Sequence, residues 1–396
     1  MSTSKRNKTY IILTLALFWI MVPGSCFSLS DTFDWQLGPF LRVDEANPIV
    51  RPCPDSIFYC PVQHKNIHWE AEHAFNPGAV VRNGKVYLIY RAEDDYGTGI
   101  GNHTSRLGLA ESTDGIHFQR SGTPVLFPAN DDQNMYEFPG GCEDPRIVET
   151  EDGTYVMTYT QWNHQDAVLA VATSVDILHW EKHGYVFKGD WRRRWSKSGS
   201  IVCRREGDRL IATKLQGKYW MYWGEGQIHA ATSDDLISWK LLKDKDDMPL
   251  VVLEPRNGKF DSLLVEAGPP ALITEDEIVL LYNGKNSIER GDQRITPHAY
   301  SAGQLLLDIS NPTKILSRSE KCFLTPERPF EMRGQYEGVT VFIQGLVSFQ
   351  ENWLLYYGTA DSAIGVARCK QGTTRKEDTH VHRTQSHDTY KCITSF

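Results

Sequence analysis

Five aromatic-rich strands that recur along the 396 residues predict an all-β fold, a five-bladed β-propeller with an irregular N-terminal extension. They span residues 86–92, 155–161, 219–225, 278–284 and 353–359, with starts 69, 64, 59 and 75 residues apart. A second echo, Ala-x-Ser-x-Asp-x-x-x-aromatic, runs through residues 110–118, 172–180 and 231–239, at spacings of 62 and 59. The period exceeds that of a solenoid repeat, and each copy holds alternating strand-like sequence.

Each aromatic strand follows a turn such as Arg82-Asn83-Gly84 or Glu151-Asp152-Gly153, so it returns antiparallel to the strand before it. The start of the first strand and the end of the second then share one face. The starts carry Asn76-Pro77, Glu143-Asp144-Pro145-Arg146, Lys197-Ser198, Glu266 and Glu337. The ends carry Arg91, Asp94, Gln161, Glu225, Asn283 and Asp361. Carboxylates, amides and cations gathered at one mouth make an active-site layout.

Along the chain, residues 1–26 read as a secretory signal. Lys5, Arg6 and Lys8 precede an apolar run from Tyr10 to Val22, too short for a comfortable membrane span and followed by Pro23-Gly24-Ser25-Cys26. The expected address is secreted, periplasmic or cell-surface. Cys26 after Gly-Ser resembles a bacterial lipoprotein acceptor, so a lipid anchor stands as the alternative to plain secretion. Residues 27–70 form a Pro-rich extension expected to lie against the propeller, 71–368 the propeller, and 369–396 a polar tail holding His380, His382 and His387.

Eight cysteines in an exported chain invite disulfides, with Cys53–Cys60 and Cys369–Cys392 as candidate pairs, while Cys142 reads as a small buried residue. The net charge of −8 gives no footing for nucleic acid. The 11 Trp, 17 Tyr and 16 Phe suit both inter-blade packing and the stacking of aromatic faces on sugar rings. No Cys/His spacing resembles a zinc site, and no metal or cofactor is expected. The loop Trp191-Arg192-Arg193-Arg194-Trp195 concentrates charge and aromatic surface.

Glu143-Asp144-Pro145-Arg146 is the sharpest motif. Pro145 should hold Asp144 extended, Arg146 should share the strand face of Asp144, and only one of Glu143 and Asp144 should enter the channel. The bland reading is an Asp–Arg pair that ties two blades together.

Several short stretches, in order, make the chain resemble glycoside hydrolase family 130, the five-bladed mannoside phosphorylases and β-1,2-mannosidases, over roughly residues 73–368. They are Phe75-Asn76-Pro77, Tyr90-Arg91-Ala92, Ser105-Arg106-Leu107-Gly108, Asp114-Gly115-Ile116-His117-Phe118, Glu143-Asp144-Pro145-Arg146, Ala267-Gly268-Pro269-Pro270 and Tyr356-Tyr357-Gly358-Thr359-Ala360-Asp361. The resemblance implies Asp144 as general acid, acting through a sugar hydroxyl as relay. It implies that Asn76, Arg91, Asp94, Arg106 and Asp361 hold the mannose, and Ser105 and Arg146 fall within the same motifs.

The chain departs from the phosphorylase pattern. Where phosphorylases carry His-Arg-Pro, it has Trp223-Gly224-Glu225-Gly226, and Glu266 supplies a second carboxylate on the next blade. A carboxylate repels phosphate, whereas Glu225 or Glu266 can activate water. The expected function is inverting hydrolysis of a β-mannoside, most simply β-1,2-linked, in a mannose-containing oligosaccharide. Its alternatives are a phosphate-dependent mannoside phosphorylase and a non-catalytic sugar-binding propeller. Direct acid–base pairs of inverting enzymes stand roughly 6.5–9.5 Å apart. The acid is expected to be held protonated by burial and by neighbouring carboxylates. Oligomeric state has no signature in the sequence.

Overall fold

The computed structural model describes residues 35–372 except 96, 98 and 337. The signal segment with Cys26, the tail with Cys392 and its histidines, and Glu337 lie outside the described residues. The described elements are β-strands apart from the four-residue helix Asn134–Glu137 and two short 3-10 turns. Lys85–Glu93 and Tyr155–Trp162, rich in β-branched and aromatic side chains, are almost wholly buried.

Antiparallel meanders follow one another. His73–Arg82, Lys85–Glu93 and Ser105–Ser112 pair in sequence, with Gln119–Arg120 at the edge. Gly141–Glu149, Tyr155–Trp162, Ala167–Ser174 and Glu181–Tyr185 repeat that order. Lys218–Trp223 pairs with Ser200–Glu206 and with Ile228–Ser233. Glu277–Lys285 pairs with Leu264–Ala267, Ala271–Thr274 and Tyr300–Asp308. The last meander, Val341–Phe349, Asn352–Thr359 and Ala363–Lys370, takes its fourth strand from the N-terminal extension, Leu41–Arg42. Arg42 fixes that strand through the buried Glu331, at 2.7 Å.

The Ser-x-Asp echo is a turn device. The Ser112 hydroxyl accepts the Gly115 N–H at 2.9 Å, and the Asp114 carboxylate accepts those of Ile116 and His117 at 2.8 Å. Ser174 with Asp176, and Ser233 with Asp235, repeat the pattern bond for bond. Short side-chain acceptors of this kind close a turn that the backbone alone would leave unsatisfied.

Polar ties join the leading strands of the meanders. Gln344 donates to the carbonyls of Asn76 and Pro145, at 2.6 and 2.8 Å. Arg146 donates to those of Gly268 and Ala267, at 2.8 and 2.9 Å. The Asn283 amide exchanges two bonds with the Ile343 backbone, at 3.0 and 2.8 Å. Arg146 and Asn283 are therefore ties between strands, and the substrate contact expected of Arg146 is corrected, because its guanidinium is committed to backbone carbonyls.

Two further expectations are corrected. Cys53 and Cys60 are both free thiols, and the Cys60 sulfur is buried facing Arg106 Nη2 at 3.7 Å. Asp144 is not extended: its φ is +50°, in a bulge between Glu143 and Arg146 that overrides the preference imposed by Pro145. Cys142 is buried, as expected, and Cys369 is free.

Candidate active site

Bulges and left-handed residues aim the polar groups. Asn76, Asp144, Ser198 and Asp361 have φ of 45°, 50°, 59° and 50°, a region L-residues occupy mainly where the surroundings enforce it. The bulge at Glu143–Asp144 breaks strand alternation, so both carboxylates reach the same cations. Arg91 Nη2 lies 2.9 Å from Glu143 Oε1, and Arg91 Nη1 lies 3.5 Å from Asp144 Oδ1. Lys197 Nζ stands 4.0 Å from a carboxylate oxygen of each. The Asn76 amide donates to Asp144 at 3.0 Å.

Arg91 is itself held by Ser105 Oγ at 3.0 Å, by Glu93 at 2.6 Å and by the Phe75 ring at 4.8 Å. The fold also brings donor atoms of His73, Glu93 and His103 within 4.8 Å of one another, a grouping with no trace in linear spacing. Glu93 already accepts from Arg91, Ser105 and Gln335, so the trio serves as a scaffold behind Arg91 before it could hold a cation. Asp94 and Arg106 pair at 2.8 Å, both buried, just beyond Ser105.

A second carboxylate pair closes the other side. Glu225–Gly226 pairs with Leu264–Ala267 in a register that sets Glu225 directly opposite Glu266. Directly opposed strand residues have side chains in contact, and like charges there repel. The Trp195 indole donates to Glu225 at 2.7 Å, and the Ser198 hydroxyl donates to Glu266.

The charges are unevenly held. Burial pushes Glu266 up to about 8, with the charge of Glu225 adding to it against Lys197 and Arg146. Burial likewise lifts Asp361 to about 7, opposed by Arg91 and reinforced by Asp144 and Glu93. Glu143 is raised by burial despite Arg91 and Lys197. Asp144 goes the other way: burial opposes its charge, but Arg91, Lys197 and the Asn76 amide outweigh it and hold it below the usual range. This corrects the expectation of a protonated Asp144 in the free protein. Burial disfavours the charge on Lys197, yet Glu225, Glu143, Asp144 and Glu266 together raise its pKa.

Of the residues expected at the mouth, Asn76, Arg91, Ser105, Asp144, Glu225, Glu266 and Asp361 belong to this network of contacts and charge. Gln161 instead donates to Gln133 and Glu137. Sequence reasoning passed over Lys285, which lies between the rings of Tyr300 and Tyr336, at 5.2 and 4.9 Å, within the field of Glu225, Asp361 and Glu266. Its signal was its place directly after Asn283-Gly284 at the strand end. The arginines of the 191–195 loop are engaged locally: Arg193 with Asp166, Arg192 over Tyr185 and Arg194 over Trp191.

A strand-built site that gathers carboxylates around Lys197 suits acid–base chemistry. A family profile described as β-1,4-mannooligosaccharide phosphorylase matches residues 40–373, and the chain belongs to that family, glycoside hydrolase family 130, whose enzymes act on mannosides. A 1,2-β-oligomannan phosphorylase of Thermoanaerobacter is 34% identical, over 76% of this chain and 90% of that one. A putative glycosidase from Bacteroides thetaiotaomicron shares 49% identity at a TM-score of 0.85, covering 87% of this chain and 100% of its own. A third relative is a structure described with the family's glycoside hydrolases that target β-1,2-mannosidic linkages in Candida mannan. It shares 48% identity over 86% of this chain and 96% of that one, with a TM-score of 0.85.

Proposed function

We propose that the chain is an exported five-bladed propeller glycosidase that hydrolyses β-mannosides, β-1,2-linked, with inversion and release of mannose. The observation that carries this reading is Glu225 opposite Glu266 beside Trp195, at the place where a phosphorylase needs to hold an anion. The β-1,2-mannosidic hydrolases named with a 48% identical structure support it.

In this mechanism Asn76, Arg91 and Asp361 seat the mannose at the scissile bond. Glu266, pushed up to about 8, keeps its proton at neutral pH, which leaves Glu225 as the base that draws a proton from water. Asp144 delivers the proton to the leaving oxygen through a sugar hydroxyl. In the free protein its charge is held by Arg91, Lys197 and Asn76, so the proton it passes on is one taken up from solvent as substrate binds. The acid limb of the relay thus belongs to the substrate-bound state.

A phosphorylase is the second reading, favoured by the names of the curated relatives and by the cations Lys197 and Lys285 near Glu225. Proton NMR of the first-formed sugar, with and without phosphate, decides between them. Free α-mannose appearing without phosphate, and lost with about 10²–10⁴ of kcat in Glu225→Gln, is the expected result. Mannose 1-phosphate formed only when phosphate is present would establish the phosphorylase.

A further inference from the structure

Beside Glu225 the surface sinks into a cavity of about 280 Å³ lined by Trp191, Trp195, Trp223, Glu225, Gln227 and His229. Its volume falls just below the roughly 300–1,000 Å³ usual for drug-sized ligands, which suits a single sugar ring. We propose that this cavity is a second sugar subsite, which binds one pyranose of the glycan other than the mannose being released. The proposal rests on the mannoside reading above and adds a site to it.

Three observations carry it. First, three indoles line one small cavity, and Trp195 stands 53% exposed at its edge, as a stacking face for the C–H side of a sugar requires. Second, Trp223 is only 2% exposed, yet its Nε1–H has no acceptor. A buried indole N–H is normally paired, and a sugar hydroxyl in the cavity supplies the missing oxygen. Third, the cavity shares Glu225 with the catalytic pair, and Trp195 both lines it and donates to Glu225 at 2.7 Å. The cavity therefore adjoins the catalytic pair.

The geometry also explains the glycine between these walls. Gly224 has a φ of +121°, and a Cβ there would meet the Gln227 carbonyl at 2.4 Å. Only glycine lets the chain turn tightly enough to place Trp223 and Glu225 on the same cavity.

The test compares Trp223→Phe, which keeps a ring and removes the N–H, and Gln227→Ala, an exposed position, with the parent protein. Substrates are an aryl β-mannoside and β-1,2-mannobiose, -triose and -tetraose, each run with and without phosphate. Mannotriose binding is measured separately by saturation-transfer NMR. The expected result is a three- to tenfold loss of kcat/KM on the triose and tetraose, an unchanged aryl mannoside, and weakened transfer to the triose. Equal losses on every substrate, or none on any, overturn the subsite. A strict need for phosphate would overturn the hydrolase reading alone, because the dependence on chain length is then read in its presence.

Discussion

Glu143 and Asp144 are neighbours in sequence and share the same two cations, but they hold protons differently. Asp144 accepts the Asn76 amide and is held ionised, while burial raises Glu143. Asp144→Asn removes the titratable oxygen at constant size, and the Asn76 contact can survive as an amide–amide bond. The expected outcome is a kcat lower by about 10²–10⁴, with the melting temperature little changed. Near-normal turnover in the folded variant would remove Asp144 from the acid role. Asn76, Arg91, Asp144 and Asp361 were legible because each sits in a short motif at a strand terminus. Glu143 was not, because strand alternation assigns it to the opposite face. Lys197 was legible as a strand start at the mouth, whereas Lys285 was not, since nothing linear places it against Glu225.

At the scale of the strand, the site depends on close backbone approach. Gly358 pairs with Phe342 and Ile364 in the middle strand of the last meander. A Cβ at that position would come 2.0 Å from the Asn76 side-chain oxygen. Gly358→Ala must therefore displace Asn76 from Asp144, at a stability cost of about 1–3 kcal/mol for overpacking. The expected signature is a kcat that falls further than stability alone explains, with tighter spacing relieved in a Gly358→Ala, Asn76→Ala double variant that folds better than the single one. Additive destabilisation in the double variant would show that the two residues do not meet. The strands themselves were plain in the aromatic runs, and the turns in Ser-x-Asp. The bulges were not, because a left-handed Asp before proline runs against local preference, and only tertiary ties such as Gln344 to the Pro145 carbonyl enforce it.

For the described protein as a whole, the raised carboxyls make the site a source of pH-dependent instability. A carboxyl whose folded pKa lies above its unfolded value keeps a proton in the fold that the unfolded chain has released. Stability then falls as pH rises from the unfolded pKa to the folded one. For Glu266 that window runs from 4.5 to about 8, and for Asp361 from 3.8 to about 7, so both act in the same direction. Glu266 is 3% exposed, and its shift corresponds to a few kcal/mol, on the order of 1.4 kcal/mol per pH unit crossed. Glu266→Gln keeps an oxygen to accept from Ser198 and cannot ionise beside Glu225. Thermal melts of the two proteins should coincide near pH 4 and separate progressively up to pH 8, with the variant the more stable. The same substitution keeps the neutral partner that Glu225 faces, so turnover should change far less than in Glu225→Gln. Melting curves that stay parallel across this range would mean that Glu266 is ionised in the fold at neutral pH, and the assignment of Glu225 as the base would lose its footing.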